Sequence, residues 1–273
     1  MNKIKKFNNG IEIPMLGLGV YQTKDGTQTV DAVTWALEAG YRHIDTAAVY
    51  GNESSVGLGI KESKIPREEI FLTTKLWNDD MRQGRELAAF EESLERLQTD
   101  YVDLYLIHWP VENYEKSWKV LEEIYASKRA KAIGVSNFHQ HHLERLLAVA
   151  KVVPAINQVE AHPYLNNYEL ASYCWAKGIA MQAYSPLGGT GGNLLENEVL
   201  NTLAKKYGKS PAQIVIRWDL QRDFVVIPKS VHKDRIISNI EIFDFELSKE
   251  DMETINSLNR GQRFCPDPDH FNF

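Results

Sequence analysis

Asp45, Tyr50, Lys75 and His108 are an acid, a phenol, an ammonium and an imidazole, and each closes or just follows a short β-type run. A free tyrosine titrates near ~10, so its phenol holds a proton at neutral pH and gives it up reluctantly. An adjacent ammonium would stabilise the phenolate, lower that value and ease donation to a developing alkoxide. Aspartate would keep the lysine charged and aimed at the phenol. A neutral histidine would donate a hydrogen bond to a substrate carbonyl and orient it. Nothing in the set is a nucleophile, so hydride transfer suits it better than acyl or glycosyl transfer. Each residue also has a plainer reading: Asp45 and Lys75 as a structural ion pair, His43 nearby as a packed strand residue.

For the four to meet, their strands must lie side by side. β-type runs recur at residues 15–18, 42–44, 70–75, 102–108, 130–135, 155–160, 179–184 and 224–227, with helical periodicity between most of them. In 85–97, Leu87, Phe90, Leu94 and Leu97 fall on one face and Glu91, Glu92 and Arg96 on the other. Val30, Val33 and Leu37 repeat the spacing before Gly40, a residue suited to ending a helix. Ser210-Pro211-Ala212-Gln213 reads as a capping box with proline at the first helical position, followed by apolar Ile214, Val215 and Trp218. Such alternation predicts a parallel sheet with helical crossovers. Eight units in an uninterrupted chain predict an α/β fold of the closed (β/α)8 TIM-barrel type, whose strands all end at one mouth. Asn8-Asn9-Gly10 between β-type runs at 4–7 and 11–13 predicts a hairpin, with residues 1–14 capping the barrel bottom. Residues 1–273 read as a single barrel domain, with 262–273 as a tail near the pocket.

A net charge of −6 gives no global field for nucleic acid or anionic membrane, so any bound anion needs a local basic cluster. The two cysteines, Cys174 and Cys265, supply no disulfide framework or metal spacing and fit a reducing compartment. No apolar stretch follows the basic residues at 3–6, and none approaches the ~20 residues of a membrane span. A cytoplasmic location is expected. Gly17-Leu18-Gly19 and Gly57-Leu58-Gly59 do not complete a dinucleotide fingerprint and read as turn or packing glycines. If the barrel mouth is as assigned, Tyr21, Trp77, His108 and Trp109 line a substrate pocket suited to an apolar or aromatic flank; they could equally be packing residues.

The runs Gly40-Tyr41-Arg42-His43-Ile44-Asp45-Thr46-Ala47, Tyr50-Gly51-Asn52-Glu53 and Leu104-Tyr105-Leu106-Ile107-His108-Trp109-Pro110 resemble the aldo-keto reductase family. So do Gly134-Val135-Ser136-Asn137-Phe138, Asn157-Gln158-Val159-Glu160, Tyr184-Ser185-Pro186-Leu187 and Ile227-Pro228-Lys229-Ser230. In order, the resemblance covers residues from about 10 to 260, and it is similar to the shorter bacterial-type diketogluconate and methylglyoxal reductases. It implies NADPH-dependent reduction of aldehydes or ketones, usually by a monomer, with Tyr50 as general acid and Asp45, Lys75 and His108 as its partners. The cofactor residues implied are Ser136, Asn137, Gln158, Tyr184, Ser185, Leu187, Lys229, Ser230, Val231, Arg235 and Asn239. Tyr184 would stack on the nicotinamide, and Lys229 and Arg235 would hold the adenosine 2′-phosphate. A phosphate there would also gain from a helix N-terminus and charge-assisted bonds. One departure stands before Asn239: where the family often has glutamate, this chain has Ser238.

Two features stay outside that picture. Gly188-Gly189-Thr190-Gly191-Gly192 is either a flap over the pyrophosphate or a flexible connector. His139, His141 and His142 suggest a metal, but only His139 and His142 could share a helical face and no acidic or cysteine partner stands at ligand spacing. The expectation is a solvated helix start with no metal, which also disfavours a metal-dependent barrel hydrolase. A rival reading makes the protein a cofactor-sensing NADPH-binding regulatory subunit with little turnover.

Overall fold

The computed structural model describes residues 3–189, 192–271 and 273. Residues 1 and 2 of the expected cap, 190 and 191 of the glycine-rich segment, and 272 of the tail lie outside the described residues. β1 (Ile4–Lys6) and β2 (Glu12–Pro14) pair antiparallel, and Gly10 closes the turn between them at φ 88°. Phe7 and Ile13 from this hairpin are buried with Phe71, Leu104, Ile156 and Val225, so the hairpin covers the bottom of the barrel.

β3 (Leu18–Gly19), β4 (His43–Asp45), β5 (Phe71–Leu76), β6 (Leu104–Ile107), β7 (Ile133–Ser136), β8 (Ile156–Glu160), β9 (Ala180–Tyr184) and β10 (Phe224–Val226) run parallel, each bonded to the next. The sheet closes through parallel bridges from Leu16 to Val226 and from Gly19 to Lys229. This seam needs glycine: a Cβ on Gly19 would lie 2.9 Å from the Ile227 carbonyl oxygen. The strands are buried on both faces, as they must be inside a ring of helices.

α1 (Thr27–Glu38), α2 (Glu53–Glu62), α3 (Asn78–Gln83), α4 (Glu86–Leu97), α5 (Tyr114–Ala126) and α6 (Gln140–Leu147) precede α7 (Tyr168–Ala176), α8 (Glu198–Tyr207), α9 (Pro211–Gln221), α10 (Lys233–Ile240) and α11 (Lys249–Asn256). The capping box forms at α9: the Gln213 N–H donates to Ser210 Oγ at 3.2 Å and the Ser210 N–H to Gln213 Oε1 at 2.9 Å. In α4 one expected core residue is corrected. Leu87 is 55 % exposed, because the buried arc centres on Phe90, Ser93 and Leu97 and Leu87 falls at its edge. Glu86 is buried instead, its carboxylate accepting Ser117 Oγ–H at 2.7 Å.

Past α11 the chain turns back across the mouth. The Phe264 and Cys265 N–H groups donate to the Glu160 carboxylate, at the end of β8, at 2.7 and 3.1 Å. Among the described residues no helix is long and apolar enough to cross a membrane.

Candidate active site

The barrel register brings Asp45, Lys75, His108 and Tyr50 together. Asp45 ends β4, Lys75 lies one residue before the end of β5, His108 follows β6, and Tyr50 closes a short 3-10 turn at Ala48–Tyr50. Lys75 Nζ donates to Asp45 Oδ1 at 2.5 Å, to the Thr46 carbonyl at 2.7 Å and to Tyr50 Oη at 3.5 Å. The Gln158 amide, from β8, donates to Asp45 Oδ2 at 2.7 Å. The imidazole of His108 meets the Tyr50 ring edge-on at 5.6 Å between centroids.

Burial governs the protonation of the group. It raises the Asp45 carboxyl and lowers the Lys75 ammonium, each effect opposed by the partner's charge. It also holds His108 well below the ordinary imidazole value, with the Lys75 charge adding, so the ring is neutral. For Tyr50 the expectation from sequence is corrected. Burial, then the Asp45 charge, push the phenol well above its ordinary value of 10.0 rather than below it. The physical reason is burial itself, while the Lys75 charge is matched by Asp45 at 2.5 Å and its Nζ stands 3.5 Å from the phenol oxygen. The result is a phenol that keeps its proton.

Several residues that hold Tyr50 carried no role in the sequence reading. Asn52 is fully buried, donates to the Val20 carbonyl and Thr23 Oγ1 at 3.0 Å, and accepts Thr46 Oγ1–H at 2.9 Å. Glu53, also buried, accepts Thr74 Oγ1–H at 2.5 Å and Arg96 Nε–H at 2.7 Å, tying the start of α2 to β5 and α4. The run Tyr50-Gly51-Asn52-Glu53 is thus one phenol followed by its anchors.

Across the mouth, Asn137 Nδ2 donates to the His108 carbonyl at 3.0 Å, and Asn137 Oδ1 accepts Tyr184 Oη–H at 2.7 Å. Ser136 Oγ donates to the Gln158 carbonyl at 2.9 Å. Asn137 and Ser185 stand at φ 66° and 47°, left-handed conformations that asparagine tolerates better than serine. Both lie just past strands β7 and β9, where sparsely populated backbone geometry often marks a site. Leu187 is half-buried beyond them.

Farther out, Ser230 and Asn239 are buried, and the His232 N–H donates to Ser230 Oγ at 3.1 Å. Val231 is half-buried, while Lys229 and Arg235 are exposed around the start of α10. No described acid pairs with either cation, whereas Lys233 between them reaches Glu38 at 4.0 Å. Two unpaired cations beside free helix N–H groups fit a phosphate. Ser238 Oγ is turned back to the Arg235 carbonyl at 3.2 Å.

Trp77 packs against His108 at 5.3 Å, and Tyr21, half exposed, against Tyr50 at 5.0 Å. Trp109 is buried. The tail adds aromatics the motifs did not supply: Phe273 stacks on Trp77 at 5.8 Å, and Phe271 lies 4.9 Å from Trp109. The same tail brings the histidine cluster an acid that the local spacing did not show, while His141 stays exposed. Asp269 sits 2.8 Å from His139 Nδ1, 3.1 Å from His141 Nε2 and 3.4 Å from His142 Nε2.

Fold and site together define a parallel α/β barrel with a buried carboxylate–ammonium pair, a half-buried phenol against it and a neutral imidazole at its mouth. The chain belongs to the aldo/keto reductase family, whose model matches residues 15–260. It is 53 % identical over 269 residues to the glyoxal reductase of Bacillus subtilis, covering 98 % of this chain and 97 % of that protein. To the methylglyoxal reductase DkgA of Escherichia coli it is 46 % identical over 269 residues, 97 % of each chain. The crystal structure of a Bombyx mori aldo-keto reductase in complex with NADP superposes with a TM-score of 0.93 at 38 % identity, covering 98 % of this chain and 96 % of that one.

Proposed function

We propose that the protein is an NADPH-dependent carbonyl reductase of small aldehydes and ketones, acting as a cytoplasmic monomer, with Tyr50 as general acid. The observation that carries this reading is the contact of one buried ammonium, Lys75 Nζ, with both Asp45 at 2.5 Å and Tyr50 Oη at 3.5 Å. When bound, the nicotinamide supplies hydride to the carbonyl carbon. The chain's own residues do the rest. Tyr50 Oη gives its proton to the carbonyl oxygen, and Lys75, held by Asp45, stabilises the phenolate left behind. Neutral His108 donates to the same oxygen and fixes its orientation. Tyr184 offers a ring face for stacking, while Ser136, Asn137 and Gln158 orient the carboxamide. Lys229, Ser230, Val231, Arg235 and Asn239 hold the adenosine end, and Ser185 and Leu187 line the span between.

Glyoxal and methylglyoxal reductases among the relatives support small 1,2-dicarbonyls as first substrates to try, and Trp77, Trp109 and Tyr21 suit aromatic aldehydes. The test is loss of NADPH absorbance with glyoxal, methylglyoxal and an aromatic aldehyde. Turnover with any of them supports the reductase. Tight NADPH binding with no turnover across the panel would overturn it in favour of a cofactor-sensing subunit.

A further inference from the structure

We propose that His139, His141, His142 and Asp269 form a binding site for a divalent first-row transition ion, which ties the C-terminal tail to the start of α6. One ligating atom from each residue lies within 4.8 Å of all the others. The three imidazoles come from the helix cap and first turn, and the carboxylate arrives from the tail, 130 residues away along the chain. Ligand atoms around a tetrahedral ion at bond lengths of about 2.1 Å stand roughly 3.4 Å apart. The histidine nitrogens are already 2.8, 3.1 and 3.4 Å from the Asp269 oxygens, so a modest movement of side chains completes a cage.

The chemistry selects the ion. Three imidazoles and one carboxylate suit zinc, cobalt, nickel or copper far better than magnesium or calcium, which want oxygen. The rings are also crowded, with His141 and His142 centroids 3.9 Å apart. One carboxylate balances one imidazolium, whereas a divalent cation takes the lone pairs of all three neutral rings. The cluster opens onto a cavity of about 660 Å³ lined also by Arg82 and Glu112, which gives an ion and its water a route in.

Loading has a defined cost. It displaces the protons these rings share with Asp269. His142 accepts the His139 N–H on Nδ1 at 3.1 Å, so ligation through Nε2 breaks that cap bond. Arg263 must leave His139 Nε2, at 3.1 Å, for Glu160, which already lies 3.6 Å away. Because Phe271 and Phe273 of the same tail pack on Trp109 and Trp77, an ion here would hold the tail across the pocket mouth.

The experiment uses the full chain without a histidine tag and titrates cobalt, read by its visible absorption, then displaces it with zinc. One tetrahedral cobalt per chain is expected. His141→Ala and Asp269→Asn should each weaken binding at least about tenfold, as loss of even outer-sphere partners does. His141 is exposed and Asp269→Asn keeps its shape, so both variants should fold. Zinc should also slow hydrogen exchange in residues 264–271 of the unaltered chain and not in Asp269→Asn. No cobalt spectrum, affinity unchanged in both variants, or tail exchange indifferent to zinc would overturn the proposal.

Discussion

Tyr50 keeps its proton because burial, not the neighbouring ammonium, dominates its environment, and that shapes two expectations for the proposed general acid. Tyr50→Phe should lower kcat by about 10²–10⁴ while NADPH still quenches protein fluorescence with an unchanged Kd. Near-normal turnover would remove Tyr50 from the role. The pH dependence has a definite sign: a phenol raised above 10.0 stays loaded through the alkaline side, and an imidazole held below 6.5 stays neutral through the acid side. Reduction should therefore run flat across neutral pH, and an inflection in kcat near 6.5 would contradict a neutral His108. The types of these four residues were legible in the sequence because each closes or follows a recognisable strand. The residues that hold them were not. Asn52 acts through hydrogen bonds to Val20 and Thr23 on another segment and to Thr46 beside the site, and no spacing rule announces such partners. Nor does asparagine at 137 or serine at 185 announce a left-handed backbone.

At the scale of elements, local chemistry was legible and rim geometry was not. The α9 capping box needs only residues 210–213, and it forms as its sequence requires. Ser210→Ala should cost about 1 kcal/mol in denaturant unfolding, with m unchanged. Leu87 failed because apolar spacing defines an arc, and a residue at the arc's edge is buried only if a neighbouring element covers it. α10 carries the sharper functional test. Arg235 and Lys229 stand free of described acids at its start, so their charges are available to a phosphate that NADPH has and NADH lacks. Arg235→Ala should raise the Kd for NADPH roughly ten- to a hundredfold, the worth of a charge-assisted bond or two, and leave NADH nearly unaffected. Titration of both cofactors decides it, since equal losses would point to damage of α10 as a whole.

For the whole molecule, strand–helix alternation made the barrel legible, whereas contacts closed over 130 residues, such as Asp269 on His139, have no local trace. The barrel's lower half holds a further long-range consequence. His43 is fully buried on β4, with its ring edge-on to Phe71 at 5.3 Å and Nε2 3.4 Å from Thr73 Oγ1. Burial lowers its pKa to about 3, and the Lys75 charge acts in the same direction. An unfolded histidine titrates near ~6.5. Between those values the unfolded chain takes up a proton that the folded chain refuses, so stability is full above the unfolded value and falls as pH drops toward the folded one. The loss approaches about 1.4 kcal/mol per pH unit for one proton. Denaturant unfolding from pH 7 down to 4 should therefore be less steep in pH for His43→Gln than for the unaltered chain, even if the variant begins less stable. Two parallel curves would mean that the acid sensitivity of this barrel is set by its carboxylates and not by the histidine beneath its active site.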